Sequence, residues 1–518
     1  MSRSHISRRT FCAGAVGAPA LLGVRPSRPN ILLVMTDQQR WDSLGCYGFH
    51  GIRTPSLDRL AADGTLFEHC YANNPICTPS RASLFTGKSV PGHGVYKLYD
   101  NLPNSEMPFT KRLQQAGYHT ALFGKLHLSG RLYEAGHRHP NDGFDVYEWC
   151  IEPSIHLESP LNGYARWLQE TDPEFLKRLR VEGRRLLHVP QRVHMTHWAA
   201  ERTIDFIRRS DARRPFFCYM SVFDPHNPYD GYPDEFGSLV DMAKVPEASP
   251  APPGPEPEPY AVRHHREHGY AGRSSDIPRE KIRSMRRGYF ASIALADHEI
   301  GRVLTALEEK GIAGNTLVIF TSDHGDMLGD RGLFVKGAFF YDACIRVPLL
   351  MRRPETLPKG ARISGPVQLH DLAATILASA GCLDDAAREA MPESQDLAAV
   401  AKGGDRRGSA VCCYRNTGIF SDGQYANPEI HATMLRDARH KLSLYHRPQA
   451  RAGDIEGELY DMRDDPAERR NLWHSAAAGG VRSRMTARLA AWLASQEQGS
   501  RGGEILPSRE QKLDNRLR

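Results

Sequence analysis

The sequence predicts an α/β protein: a large, doubly wound, mostly parallel sheet flanked by helices, then a smaller subdomain of antiparallel strands and a helix. Two observations carry this. From Pro29 to about Cys382, short apolar runs alternate with longer amphipathic stretches, as β-α repeats around a parallel sheet require. Beyond about residue 385 the pattern changes to short alternating runs, which suit strands with one covered face. The expected organisation is a leader over residues 1–28, the α/β domain over 29–385, an α+β subdomain over 386–500 and a charged tail over 501–518.

Four strands organise the first domain. Asn30-Ile31-Leu32-Leu33-Val34-Met35 is a strand-like run, continuously apolar after Asn30, as a strand buried on both faces must be. The others are expected at residues 119–123, 216–223 and 316–321. Helical periodicity marks residues 56–63, 80–86, 196–208 and 282–310. A polar, Pro-rich insertion over residues 245–278, containing Pro250-Ala251-Pro252-Pro253-Gly254-Pro255, reads as a surface excursion near the site or a mobile loop. In the second unit, strands are expected at 409–414, 431–435, 441–445 and 458–460, with a helix over 476–496 packed on them.

Composition narrows the function. Apolar content of 40% and charged content of 25% are ordinary for a globular protein. Of the net charge of +6, five charges come from Arg3, Arg8, Arg9, Arg25 and Arg28 in an acid-free leader, and 6 − 5 leaves +1 for the body. A near-neutral body gives no electrostatic case for nucleic acid as a partner. No run approaches the roughly 18 apolar residues of a spanning helix, so stable membrane insertion is not expected. Ser7-Arg8-Arg9-Thr10-Phe11, a weakly apolar run and Ala18-Pro19-Ala20 form a twin-arginine export pattern, which predicts a periplasmic or secreted protein. Ten cysteines in 518 residues do not make a disulfide framework.

In an open parallel sheet, ligands bind beyond the carboxyl ends of the strands, so the residues just after each apolar run matter. The first run leads to Thr36-Asp37-Gln38 and the second to Gly124-Lys125-Leu126-His127. The third leads to Asp224-Pro225-His226-Asn227-Pro228, and the fourth to Ser322-Asp323-His324-Gly325. Each residue alone has a plain reading: Asp37 and His226 as turn residues, His324 as a surface histidine, Lys125 and Lys336 as solvated charges. Four such endings along one edge are a site. Asp37, Gln38, Asp323 and His324 offer oxygen and imidazole donors that suit Ca²⁺ or Mg²⁺ and admit Mn²⁺.

The sharpest local signal is Cys77-Thr78-Pro79-Ser80-Arg81-Ala82-Ser83-Leu84-Phe85-Thr86-Gly87, a cysteine at the entrance to a helix, where backbone N–H groups favour an anion. This stretch resembles the signature of the sulfatase family, within the alkaline phosphatase superfamily. The resemblance extends over residues 30–48, 117–127, 224–228 and 321–348, and to Glu458-Leu459-Tyr460-Asp461, Asp465-Pro466 and Asn471-Leu472. It spans almost the whole chain beyond the leader, in family order.

The resemblance implies a sulfuric ester hydrolase. Cys77 would be oxidised to formylglycine (3-oxoalanine) by a separate maturation enzyme, and its hydrate would be the nucleophile. A diol suits the task because its second hydroxyl can expel sulfate, whereas a plain thiol or hydroxyl would stay sulfated. One divalent cation, Ca²⁺ first with Mn²⁺ or Mg²⁺ as alternatives, would be held by Asp37, Gln38, Asp323, His324 and residue 77 itself. Asp323 would also help remove the nucleophile's proton. Arg81 and Lys125 would orient the diol and offset charge, His127 would assist elimination, and His226 and Lys336 would serve the leaving oxygen. His93 and Asn101 are further candidates for the pocket wall. The substrate would be a sulfated small molecule or glycan.

One departure matters. Many sulfatases carry two adjacent acids after the first strand, but here Asp37 is followed by Gln38. Relatives with Asp-Gln include hydrolases of phosphonate monoesters and phosphodiesters, which is the alternative activity. A second alternative, a silent sulfate- or glycan-binding relative, requires Cys77 to remain a thiol. Specificity is expected from residues 231–278, residues 131–192 and loops of the C-terminal unit.

Overall fold

A computed structural model of the chain describes residues 28–251, 258–269, 271–416, 426–427, 429–446 and 455–497. The leader up to residue 27, the tail from 501 and the central prolines of the insertion lie outside these residues.

The large sheet contains nine strands: β1 (Asn30–Thr36), β2 (Thr65–Tyr71), β3 (His119–Gly124), β4 (Val146–Trp149), β5 (Phe216–Ser221), β6 (Thr316–Ser322), β7 (Arg346–Val347), β8 (Leu349–Arg352) and β9 (Ala361–Gln368). Its order is β4-β3-β5-β1-β6-β8-β2, with β7 and β9 also paired to β2. Neighbours from β4 to β6 run parallel, and so does the β2–β9 pair. The pairs that β8 makes with β6 and β2, and β7 with β2, are antiparallel. β1 lies centrally, with Ile31 opposite Phe217 on one side and Leu317 on the other.

The continuous apolar run of β1 has the cause its sequence implies. Leu32 and Val34 face one core, and Ile31, Leu33 and Met35 the other; all five are fully buried. On the first face lie helices Pro55–Ala62, Met195–Arg209 and Arg279–Glu309, through residues such as Leu57, Trp198 and Leu295. On the second lie helices Cys77–Thr86, Phe109–Gln115 and Asp371–Ser379, through Phe85, Leu113 and Leu372. The result is a three-layer α/β/α stack. At about 1.5–3 kcal/mol per fully buried large aliphatic side chain, β1 alone contributes strongly to holding the layers together.

The four organising strands stand where the sequence placed them. Strands β2, β4, β7, β8 and β9 add to them, and their short or mixed patterns gave less signal. The helix expected over 80–86 begins three residues earlier, at Cys77. Pro79 is tolerated there because first-turn amides have no intrahelical acceptor. The helix stops at Gly87, φ 69°, whose N–H bonds Ser83 O at 2.9 Å; a Cβ there would meet Met391 at 2.9 Å. Among its described residues, the insertion over residues 245–278 contains the helix Tyr260–His268.

A second sheet, antiparallel throughout, has the order β10 (Ala410–Arg415), β11 (His431–Arg436), β12 (His440–His446) and β13 (Glu456–Asp461). The helix Gly479–Glu497 covers one face through Met485 and Leu489. The other face meets the 339–345 stretch of the large domain through Tyr414, Met434 and Tyr460. Adjacent Cys412 and Cys413 belong to one strand and therefore point to opposite faces; both are buried and free.

Candidate active site

Parallel strands bring their carboxyl ends to one edge. Asp37 follows β1, Lys125 follows β3, Asp224 and His226 follow β5, and Asp323 and His324 follow β6. Chain closure at this edge is tight: Asp37 N donates to Asp224 O at 3.1 Å, and Lys125 N to Ser221 O at 3.0 Å. Gly124, φ 112°, makes the second contact possible, since a Cβ there would lie 1.9 Å from Ser221 O.

Cys77 is the first residue of its ten-residue helix and is buried among these strand ends. Its Sγ lies 3.1 Å from His324 Nε2, 2.9 Å from Lys336 Nζ and 3.9 Å from Asp37 Oδ1. Ligand atoms of Asp37, Cys77, Asp323 and His324 all lie within 4.8 Å of one another.

Arg81, one turn along the helix, is fully buried beneath them. Its Nε donates to Asp323 Oδ2 at 2.8 Å and its Nη2 to Asp37 Oδ2 at 3.0 Å. Nη1 contacts Lys125 O at 2.9 Å, Tyr219 OH at 3.1 Å and Ser221 Oγ at 2.9 Å. Lys125 Nζ meets the same Asp37 oxygen at 2.6 Å. Asp37 thus turns Oδ2 to two cations, while Cys77 Sγ, His226 Nε2 and His324 Nε2 each stand 3.9 Å from Oδ1.

On the other side, Lys336 Nζ bridges Gln38 Oε1 at 3.0 Å, His226 Nε2 at 3.1 Å and His324 Nε2 at 3.1 Å. His226 Nδ1 contacts Asn227 O at 2.6 Å, which makes Nδ1 the donor and leaves Nε2 to accept from Lys336. His127 Nε2 contacts Thr78 Oγ1 at 3.0 Å, and its buried Nδ1 has no hydrogen-bond partner among the described residues. The turn bearing His127 is clamped by Glu134, which accepts from the N–H groups of His127, Leu128 and Ser129 at 3.0, 2.6 and 3.1 Å.

The electrostatics come from burial against opposite charge. Burial alone would raise the Asp37 carboxyl, but Lys125 above all, with His226, Lys336 and Arg81, holds it well below the ordinary range. Burial and Asp37 oppose ionisation of the Cys77 thiol, yet Lys125, Lys336 and His324 pull it below its usual value. Burial, with Lys336 nearby, keeps His226 neutral; burial, with Lys125 and Arg81, does the same for His127.

The donor set fits a divalent ion. Carboxylates of Asp37 and Asp323, the His324 imidazole and the residue 77 side chain converge, and the amide oxygen of Gln38 is tied to them through Lys336 Nζ, which also contacts Cys77 Sγ and His324 Nε2. Of the twelve residues singled out in the sequence, the ten given metal or catalytic roles lie at this edge, His127 by way of Thr78. His93 and Asn101 do not bond to the group. The His93 ring is held by Ser83 Oγ at 2.8 Å and Val95 N at 3.0 Å, and Asn101 Oδ1 accepts from Gly130 N at 3.0 Å. Sequence reading did not single out Tyr219, Ser221, Asn227 and Asp326 as participants. The first two alternate on β5 toward Arg81, a signal visible only once β5 is known to lie beside β1.

With fold and geometry in hand, the chain can be set beside known proteins. The family model described as sulfatase matches residues 29–382, and one described as N-sulphoglucosamine sulphohydrolase, C-terminal, matches residues 329–495. An arylsulfatase of Clostridium perfringens is 33% identical over 371 residues, 68% of this chain and 74% of its own length. An N-acetylglucosamine-6-O-sulfatase of Bacteroides thetaiotaomicron is 27% identical over 508 residues, 87% of this chain and 83% of its own. Among solved structures, a phosphonate monoester hydrolase of Agrobacterium radiobacter shares the fold with a TM-score of 0.72 and 24% identity, covering 90% of this chain and 96% of that one. These matches define a hydrolase of the alkaline phosphatase fold. The chain belongs to the sulfatase family, enzymes that hydrolyse sulfate esters.

Proposed function

We propose that this protein cleaves a sulfate monoester with residue 77 as nucleophile, after oxidation of Cys77 to formylglycine by a maturation enzyme, and with one divalent cation. The observation that supports this most is the convergence of Asp37, Cys77, Asp323 and His324 within 4.8 Å around the first residue of a helix. Formylglycine, as its hydrate, supplies one hydroxyl for attack and a second for release of sulfate. A bound cation, Ca²⁺ first with Mn²⁺ or Mg²⁺ as alternatives, supplies Lewis acidity toward the nucleophile and a sulfate oxygen.

The chain's own residues do the rest. Lys125 and Arg81 keep Asp37 ionised, so the cation site keeps its charge at neutral pH. Arg81, committed to both carboxylates and to β5, serves by fixing them, and Lys125 Nζ is the cation left to offset charge on the transferring group. Asp323 takes the proton of the attacking hydroxyl. His127, neutral and with a free Nδ1, is suited to accept a proton when sulfate is released. Lys336 donates toward the leaving oxygen, and His226, bonded to it at 3.1 Å, shares that proton.

The sugar-sulfatase relatives support a sulfated glycan as substrate class. The twin-arginine pattern of residues 7–11 supports export to the periplasm or beyond; among the described residues no helix is long and apolar enough to cross a membrane. Gln38 in place of a second acid favours a second reading, a phosphonate monoester or phosphodiester hydrolase. Two measurements decide. Mass spectrometry of the peptide around residue 77, from protein made in a host able to mature it, is expected to show the aldehyde. An unmodified thiol there would favour a silent binding relative. Side-by-side kcat/KM values on aryl sulfates and aryl phosphonates are expected to favour sulfate; a phosphonate preference of several orders of magnitude would replace the first reading by the second.

A further inference from the structure

We infer that Asp326, a residue that need not touch the ion, is the positioning residue that aims the Gln38 amide into the cation site. This rests on the metal-dependent reading above. Gln38 has its backbone pinned in the left-handed region, φ 68°: its N–H donates to Asp323 Oδ1 at 3.0 Å, and its carbonyl accepts from Tyr289 OH at 2.9 Å. What stays undetermined by that backbone is which end of the amide faces the cluster. A ligand to a cation must present oxygen; the same side chain turned over would present N–H groups and repel the ion.

Two partners of fixed character settle the orientation. Lys336 Nζ, which can only donate, lies 3.0 Å from Gln38 Oε1. Asp326 Oδ2, an acceptor when ionised, receives Gln38 Nε2 at 2.6 Å. Asn227 Oδ1 also receives Nε2, at 3.2 Å, but an asparagine can itself turn over and so cannot decide the matter. Asp326 is fully buried and held in turn, with Oδ1 accepting from Leu328 N at 2.8 Å and Oδ2 from Tyr229 OH at 2.6 Å.

The same contact explains why residue 38 is an amide here. A carboxylate at residue 38 would stand about where Nε2 now stands, 2.6 Å from the Asp326 carboxylate, and two buried like charges at that range strongly oppose each other. In this chain the acid beside that position is Asp326, and residue 38 meets it with an amide. That gives a reciprocal prediction. In Asp326→Asn, the Leu328 N–H keeps the amide oxygen and the new NH₂ faces the Gln38 NH₂, so a second donor replaces the acceptor that held the amide and only Lys336 still holds its oxygen inward. In Gln38→Glu the added ligand charge, which would ordinarily tighten cation binding, is set against Asp326. Combining the two substitutions pairs one oxygen of the new carboxylate with the new NH₂ and frees its other oxygen for the ion.

The test uses the full-length protein, stripped of metal and titrated calorimetrically with CaCl₂ and separately with MnCl₂, with metal-free thermal melts to establish folding. D326N is expected to bind about 10–100-fold more weakly than wild type, and Q38E to weaken binding as well. The Q38E/D326N double variant is expected to recover to within about threefold of wild type, a rescue that a merely structural role would not produce. Binding by D326N within about threefold of wild type, or a double variant no better than the weaker single, would overturn the inference. If D326N fails to fold, Q38E alone still decides, because tighter binding by Q38E would show that Asp326 does not oppose a charge at residue 38. Wild-type protein that binds neither ion would sink the metal-dependent reading together with this one, whereas normal wild-type binding with insensitive variants sinks only this one.

Discussion

Replacing Arg81 by lysine keeps the charge and removes the geometry, and its cost can be worked from the structure. The guanidinium reaches five acceptors: Asp323 Oδ2, Asp37 Oδ2, Lys125 O, Tyr219 OH and Ser221 Oγ. An ammonium has three N–H donors on a shorter reach, so at least two acceptors lose their partner. Asp37 retains Lys125 at 2.6 Å, which leaves Asp323 Oδ2 as the exposed loss. Two charge-assisted hydrogen bonds at about 1.5–3 kcal/mol each amount to roughly 3–6 kcal/mol. Breaking a buried ion pair by removing one partner gives a similar figure of about 3–5 kcal/mol. Against the ~5–15 kcal/mol that holds a domain folded, this is a severe loss. Urea unfolding of the full-length protein, followed by tryptophan fluorescence, measures it, and turnover should fall in parallel because both carboxylates of the cation site lose their anchor. A loss below about 1 kcal/mol would refute the reasoning, for it would mean that water or a lysine satisfies Asp323 as well as the fork does.

Three further outcomes are expected from the same contacts and from one buried acid elsewhere. Cys77→Ala is expected to leave the melting curve near that of wild type and reduce hydrolysis to background; retained turnover would remove residue 77 from the chemistry. Lys336→Ala is expected to lower kcat by about 10²–10⁴ on alkyl sulfates and far less on 4-nitrophenyl sulfate, whose leaving oxygen needs no proton; an equal loss on both would show that Lys336 does not serve the leaving group. Glu299, fully buried, is driven up by burial but more strongly down by hydrogen bonds from His197 at 2.8 Å and Gln191 at 2.7 Å and by Arg302, to about 2. Its stabilisation is present above about pH 4.5 and is lost as pH falls toward 2, a change of roughly 3 kcal/mol. Glu299→Gln should therefore be less stable than wild type at pH 6 and nearly equal to it near pH 2; parallel curves would contradict the assignment.

How much of this was legible beforehand depends on the range of the interaction that decides each feature. The centre of β1, Ile31 to Met35, is apolar at every position because both its faces are covered, and that demand shows in five consecutive letters. The strand ends carry their chemistry immediately after the apolar run, so Asp37, Lys125, His226 and Asp323 could be picked out without coordinates. The broken strand made of β7 and β8 could not be. It is two and four residues long, split at Pro348, and its direction is set by β6 and β2, not by its own sequence. The start of the Cys77 helix was missed because first-turn residues need no helical propensity when their amides are unpaired.

The linear chain by itself determined the layered α/β architecture and the cysteine-centred motif, and offered candidate cation ligands, because periodicity and motif spacing are local properties. Only the tertiary structure decided which oxygen of each group faces which partner. Arg81 finds Tyr219 and Ser221 across about 140 residues, and Gln38 finds Asp326 across 288. Those orientations are chosen by competition among buried donors and acceptors, and that competition exists only after folding has excluded water from the space they share.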